Sequence, residues 1–462
     1  MNRQKRILKN TIIFGIGNFG SKVLSYIMVL IYTHYIGKAD LGYYDLILTS
    51  ISLAQPIVLM AFDEGIYRWL IGSEGFDRKI IVSTCLKATG FTTLCSVVLL
   101  FLLDISFNFR YVFLISLFLV SSLAYQMVLN AVRGVGNNKL YAASGIVNSI
   151  FILVFEIVGL MVLSMGIEAL LISKVLANLI TIGFIYAKEN VFRGVVKTPF
   201  DRSLAKSIFD YSMPLVPNQI SWWIVNSSDR YIILAFLGTS FNGIYTISNK
   251  FPTIITTITG IVYFALQETI IKEYSADDRD IFYSSTFKNY YTVLFNLIFC
   301  AIPATKLIIL WFVSDEFVDA WMYTGFLYLS TVFSALSSFL GIGYQISRET
   351  KRSVLSTVSA ACVNIIINVV FINVIGLHAA SISTFISYFA LFVIRIIHSK
   401  KYFTLSINWC FFAVLLAISL LVIFISYFGN VTMNIIVMAF AFFCFIYMNR
   451  SIIVKLVKKK GI

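Results

Sequence analysis

Residues 214–250 read PLVPNQISWWIVNSSDRYIILAFLGTSFNGIYTISNK. The apolar runs in this stretch are long enough to enter a bilayer, yet Asp229, Arg230 and Lys250 stand inside them. A charge at membrane depth costs about 2.5–3.5 kcal/mol on insertion scales, so it is turned toward protein or a watery cavity rather than lipid. Around the charges runs a fixed punctuation: Asp229-Arg230, Ile232-Ile233, then Gly238, Gly243, Tyr245 and Lys250. Gly37, Gly42 and Tyr44 repeat its middle part with the same spacing. These two occurrences predict two related membrane lobes closing on a shared polar cavity.

The rest of the composition agrees with a membrane chain. Hydrophobic residues make up 59% of the 462 and charged residues 13%, against roughly half and a quarter in an ordinary soluble domain. The net charge of +14 is spread over short gaps between apolar runs. It therefore carries orientation information and argues against a nucleic-acid partner. Cys85, Cys95, Cys300, Cys362, Cys410 and Cys444 fall in or beside apolar spans without a paired spacing, and His34, His378 and His398 form no ligand motif. No metal site, cofactor or disulfide is expected. The first apolar run exceeds a signal-peptide core and lacks a small-residue cleavage site, so it is read as a span.

A helical span needs roughly 20 apolar residues. That ruler places segments near 11–35, 42–66, 80–103, 111–132, 140–164 and 169–187, then near 208–236, 242–267, 287–312, 320–347, 353–375 and 379–398, with two more near 407–428 and 431–450. The expectation is an all-α polytopic membrane protein of about fourteen helices. It divides into an N-terminal six-helix lobe (1–190), a basic cytoplasmic linker (191–206), a C-terminal six-helix lobe (207–400) and two additional helices with a basic tail (401–462). Lysine and arginine crowd the even-numbered gaps and both termini, as at Arg78, Lys79, Arg133, Lys139, Lys188, Arg193, Lys197, Arg279 and Arg352. The opposite gaps hold only Lys38 and Arg110. The positive-inside rule then puts both termini in the cytoplasm.

The two lobes align without a gap when Gly37 is set on Gly238, which brings Gly42 onto Gly243 and Tyr44 onto Tyr245. Gly166-Ile167-Glu168-Ala169 likewise matches Gly376-Leu377-His378-Ala379, with Ser173 on Ser383. An even number of spans separates the paired motifs, so both halves enter the membrane from the same side. This is a parallel repeat, and the last two helices lie outside it.

In the first span Asn18, Lys22 and Ser25 recur at helical spacing as one polar stripe. The repeat offset carries that stripe onto Gln219, Trp223 and Asn226, with Arg230 a turn further on. Polar glue between helices accounts for Asn and Ser; the cations Lys22 and Arg230 call for water or an anion. Lys87, Glu156, Lys174, Lys250 and Lys306 are further charges within apolar segments. Lys306 lies near a span end and is expected to snorkel. For Lys174 and Lys250, snorkelling stands beside a cavity role. Glu156 could pair with a lysine or bind a coupling ion, and Asp229 could neutralise Arg230, although adjacent helix residues diverge by about 100°. Cations outnumber acids in this set, which favours an anionic passenger. No nucleotide-binding glycine loop, zinc-protease motif or nucleophile elbow is present, and the outer gaps are too short for a catalytic domain. A membrane polymerase or glycosyltransferase is accordingly the weakest reading.

Pro214, Pro217, Asp229-Arg230, Gly238, Gly243, Tyr245 and Lys250, together with Arg133-Gly134, Asn137-Asn138-Lys139 and the turns at Gly166 and Gly376, resemble the signature of Wzx-type polysaccharide flippases. These belong to the multidrug/oligosaccharidyl-lipid/polysaccharide exporter superfamily, and the resemblance covers the first twelve spans. One departure is His34, where the first-lobe motif often has arginine. The resemblance implies two six-helix bundles forming a cavity that opens alternately to each side of the inner membrane. It implies an undecaprenyl-pyrophosphate-linked oligosaccharide as cargo, moved outward for O-antigen or capsule synthesis, with membrane lipids, a polysaccharide polymerase and chain-length proteins as partners. Lys22, Arg230 and Lys250 are then the pyrophosphate candidates. Asn18, Ser25, Gln219, Trp222, Trp223 and Asn226 are the sugar-side candidates, and Glu156, Asp229, Lys87 and Lys174 remain for ion coupling or charge pairing. A cation-coupled multidrug antiporter of the same superfamily is the alternative; it would favour a carboxylate-rich cavity, and the first span has no acid.

Overall fold

A computed structural model describes residues 24, 26–71, 77–272, 277–347 and 349–448, and all regular structure among them is helical. Among the described residues ten helices are long and apolar enough to cross a membrane, or eleven when one bent pair is taken as a single span. Without water in the hydrocarbon region, each backbone N–H and C=O must be satisfied inside its own segment, which is why a chain of this composition becomes helix throughout. The chain separates into two compact units, Met1–Ser227 and Ser228–Ile462.

In the first unit, residues 26–32 are helical. They are followed by α1 (Lys38–Val58), α2 (Phe62–Ile71), α3 (Arg78–Phe107), α4 (Val112–Gly134), α5 (Asn138–Ile157), α6 (Ile167–Lys188), α7 (Arg202–Ser212) and α8 (Val216–Ser227). The expected second span is thus broken: α1 and α2 meet at 56°. Between them Met60 and Ala61 take left-handed conformations, φ 48° and 52°, which cost roughly 1–2 kcal/mol each for a residue with a Cβ. A π-helical turn, Val158–Val162, ends α5 and brings Gly159 against Ala169 with no room for a methyl group. Polar contacts join the helices in the interior. Asn148 Nδ2 donates to Asn178 Oδ1 (3.1 Å), whose own Nδ2 donates to Ser121 Oγ (3.3 Å), linking α4, α5 and α6. Lipid tails are as apolar as leucine, so close packing and such interhelical bonds, rather than hydrophobic burial, hold membrane helices together.

The basic linker is ordered rather than a loose tether. Asp201 caps α7 by accepting from Ser203 N and Leu204 N, and Leu204, Ile208 and Ser212 form the buried face of that helix. Gly65 of α2 lies so close beneath them that an added Cβ would sit 2.5 Å from Ile208 Cγ2.

The second unit contains α9 (Asp229–Phe236), α10 (Thr239–Lys250), α11 (Pro252–Lys272), α12 (Arg279–Phe312), α13 (Trp321–Ile346), α14 (Thr350–Ile375), α15 (Leu377–Ser399), α16 (Trp409–Phe428) and α17 (Val431–Met448). Gly238, at φ 93°, makes the turn from α9 to α10 in a region that L side chains rarely adopt. An aromatic core of Phe295, Phe333, Phe392 and Phe412 joins α12, α13, α15 and α16 by edge and stacked contacts. Aromatic pairs of this kind contribute about 0.5–1.5 kcal/mol each beyond their contact area.

Lys306 corrects a sequence expectation. It does not snorkel: it is 7% exposed, and its ammonium donates to Ser426 O (2.5 Å) and Gly429 O (3.0 Å) while lying 4.0 Å from the Trp321 ring centroid. The carbonyls at the C-terminal end of α16 carry partial negative charge and lack helical donors, so the lysine finds its partners inside the protein.

Candidate functional site

The charged stretch that opened the sequence analysis assembles its clearest site in the second unit. Asp229 starts α9 and is 2% exposed. Its Oδ2 accepts from the Tyr245 hydroxyl (2.8 Å) and from Thr384 Oγ1 (2.7 Å), and its Oδ1 accepts from Asn368 Nδ2 (3.1 Å). The turn at Gly238 brings Tyr245 of α10 back over the start of α9, while α14 supplies Asn368 and α15 supplies Thr384. Ser228 Oγ donates to Asn364 Oδ1 (3.3 Å), and Asn364 Nδ2 reaches Thr384 Oγ1 (3.4 Å), so four helices and the residue before α9 share one network.

The donor count in this network is short. Thr384 has one hydroxyl proton, but both Asp229 Oδ2 and Ala380 O (2.9 Å) lie in accepting positions. Asn368 Oδ1 is buried and has no hydrogen-bond partner among the described residues. A buried carboxylate with a free amide oxygen and a doubly claimed hydroxyl can take up a proton or a bare monovalent cation without displacing an existing partner. Among the described residues no three His, Cys, Asp or Glu side chains come together to suit a transition metal.

Arg230 is half-buried, and its guanidinium carbon lies 5.8 Å from the centroid of the Tyr245 ring. Asp229 is therefore not simply the counter-ion of its neighbour; it is held by Tyr245, Thr384 and Asn368, and Arg230 sits on the face of the same tyrosine. Lys250 ends α10 and is half-buried.

In the first unit, Gln219, Trp222 and Trp223 are half-buried on α8, and Asn226 is exposed there. Trp223 Nε1 donates to Thr49 O (3.1 Å) and Ser52 Oγ (3.0 Å), fastening α8 to α1, while Asn226 Nδ2 donates to Trp222 O (2.7 Å). Glu156 is 4% exposed near the end of α5, within electrostatic reach of Tyr32 and Tyr44. Lys87 is exposed and donates to Thr198 O of the basic linker (2.6 Å), and Lys174 is half-buried on α6. Asn18, Lys22 and Ser25 lie outside the described residues.

Sequence reasoning passed over Asn364, Asn368, Thr384 and Arg395. Asn364 and Asn368 are separated by about one helical turn within the apolar run 360–372, which is a usable signal. Arg395 is 3% exposed and, among the described residues, bonds to the neutral groups Ser337 O (2.9 Å), Thr357 Oγ1 (3.2 Å) and Ser356 Oγ (3.3 Å), clamping α13, α14 and α15. Gly341 makes room for it, since an added Cβ would stand 2.8 Å from Nη1.

The family described as "Polysaccharide biosynthesis protein" matches residues 7–271, more than half of the chain. The chain belongs to this family. Its fold is shared with transporters of the MOP superfamily. One similar solved structure is titled "Lipid II flippase MurJ, inward closed conformation", with TM-score 0.68, 15% identity, and coverage of 96% of this chain and 100% of that one. Another is the inward-facing conformation of a multidrug resistance MATE family transporter, with TM-score 0.62, 13% identity, and coverage of 85% and 95%. An outward-facing MATE structure matches at TM-score 0.61 and 14% identity, with the same coverage. Comparison with curated proteins returns no match. These three neighbours are titled as a flippase and as transporters rather than as enzymes.

Proposed function

We propose that this family member is a flippase moving an undecaprenyl-pyrophosphate-linked oligosaccharide from the cytoplasmic to the outer leaflet of the inner membrane by alternating access, for O-antigen or capsule synthesis. The observation that carries the reading is the pairing of membership in the polysaccharide-biosynthesis family with a lipid-flippase fold spanning nearly the whole chain. Lys22, Arg230 and Lys250 supply positive charge for the pyrophosphate. Asn18, Ser25, Gln219, Trp222 and Asn226 meet sugar hydroxyls, and Trp223, whose N–H is engaged, offers its ring face. Asp229 holds the proton or monovalent cation whose exchange accompanies the cycle, and a polymerase and chain-length proteins act on the delivered unit.

Moving negative charge outward is downhill in an inside-negative cell. The potential contributes about 2.3 kcal/mol per charge per 100 mV, so a pyrophosphate with two charges gains about 4–5 kcal/mol if the protein's cations stay behind. The test is a reconstitution in vesicles with a lipid-linked oligosaccharide, read by leaflet-specific accessibility of the sugar. Lys22→Gln with Arg230→Gln is expected to leave the protein in the membrane and cut flipping at least about tenfold, the loss of roughly 1.4 kcal/mol or more. Full flipping by that variant would overturn the assignment, and transport of an organic cation in place of the lipid would select the multidrug reading.

A further inference from the structure

A second buried carboxylate, unconnected with Asp229, lies at the break in the second span. Asp63 occupies the first turn of α2 and is 3% exposed. Its Oδ2 receives one long hydrogen bond, from Asn130 Nδ2 of α4 at 3.4 Å. Its Oδ1 is fully enclosed and has no hydrogen-bond partner among the described residues. The backbone amides of Glu64 and Asp63 and the side chains of Gln126 and Gln55 also donate toward the carboxylate, yet none completes a hydrogen bond to Oδ1. Arg133 lies over the Tyr67 ring at 4.3 Å and within electrostatic reach of Glu64.

An enclosed carboxylate with one oxygen left unbonded is expensive unless its charge is neutralised. We infer that Asp63 anchors a sodium-sized monovalent-cation site within the first unit, at the joint between α1 and α2. The supporting chemistry is a set of hard oxygen ligands. Asp63 Oδ1 is free. Asn130, Gln55 and Gln126 each carry an amide whose oxygen and nitrogen exchange places by a half-turn. Carboxylate and carbonyl oxygens suit alkali and alkaline-earth ions rather than soft metals, and a single carboxylate matches a single positive charge. Discontinuous membrane helices present the unwound carbonyls and half-helix C-terminal ends that hold such ions, and the strained pair Met60 and Ala61 keeps this helix broken.

Equilibrium binding of radioactive sodium to the purified full-length chain, with choline replacing sodium in the control, tests the site. Because Asp229 offers a separate place for a cation, the measurement uses Asp229→Asn as background. That background protein is expected to bind sodium, and adding Asp63→Asn is expected to abolish the binding. Asn130→Ala, which keeps the carboxylate and removes one ligand, is expected to weaken binding about tenfold or more; it carries the test if Asp63→Asn unfolds. The inference falls if the Asp229→Asn protein binds no sodium, or if its affinity is unchanged by both first-unit substitutions.

Discussion

Tyr245 shows how much one side chain does here. It is fully buried, its hydroxyl donates to Asp229, and its ring faces the Arg230 guanidinium. Replacing it with phenylalanine leaves the ring in place and removes one donor from a carboxylate that has few. Tyr245→Phe is expected to lower stability by about 1–3 kcal/mol, the cost of a buried hydrogen bond to a charged group, and thermal unfolding in detergent measures it. The same substitution in Asp229→Asn protein should cost clearly less, because the pair acts through one bond. Asp229, Arg230 and Tyr245 were legible in sequence because charges interrupt an apolar run and the tyrosine recurs in the repeat. The Asn364–Asn368 pair offered a signal that went unused, and Thr384 offered none, because single neutral polar residues in membrane helices are common and nothing in the linear order brings either element to position 229. Lys306 was misread for a related reason. Its distance from the span end was visible, but the carbonyls of Ser426 and Gly429 that receive it are more than a hundred residues away.

Among the elements, the breaks are what periodicity alone does not reveal. A ruler of apolar length places a span near 42–66 yet cannot see that Met60 and Ala61 turn left-handed between α1 and α2, since no glycine marks the joint. The span expected at 208–236 is likewise built of α8 and α9, and that at 242–267 of α10 and α11. The linker helix α7 packs closely against Gly65 of α2. Gly65→Ala places a methyl 2.5 Å from Ile208 Cγ2 and 2.6 Å from Ser212 Oγ and is expected to destabilise by about 1–3 kcal/mol, as overpacked cores do. Ile208→Ala in the same protein should recover part of that loss although it is itself destabilising. This non-additivity, read by a double-mutant cycle of unfolding temperatures, is the signature of direct contact.

At the scale of the whole chain, composition and span length foretold an all-helical membrane protein, and the shared fold with MOP transporters agrees. The orientation rests on the Lys and Arg asymmetry alone. Single cysteines placed in a cysteine-free version at 196 in the linker and at 316 in the loop after α12 are expected to react with a membrane-impermeant reagent from opposite sides, the linker only after the cells are opened. Labelling of both from outside would reverse the topology. The repeat gives no hint that α16 and α17, which stand outside it, are built into the second unit, because that attachment is made by Lys306 and by the Phe412 ring among Phe295, Phe333 and Phe392.

Cutting the chain back near residue 400 would therefore do more than remove an appendage. It would uncork an ammonium from the helix end that seats it and lay bare a cluster of rings shaped to receive another. The terminal hairpin is in that sense a stopper, and a shortened protein would have to recruit lipid, or a second molecule of itself, to fill the opening.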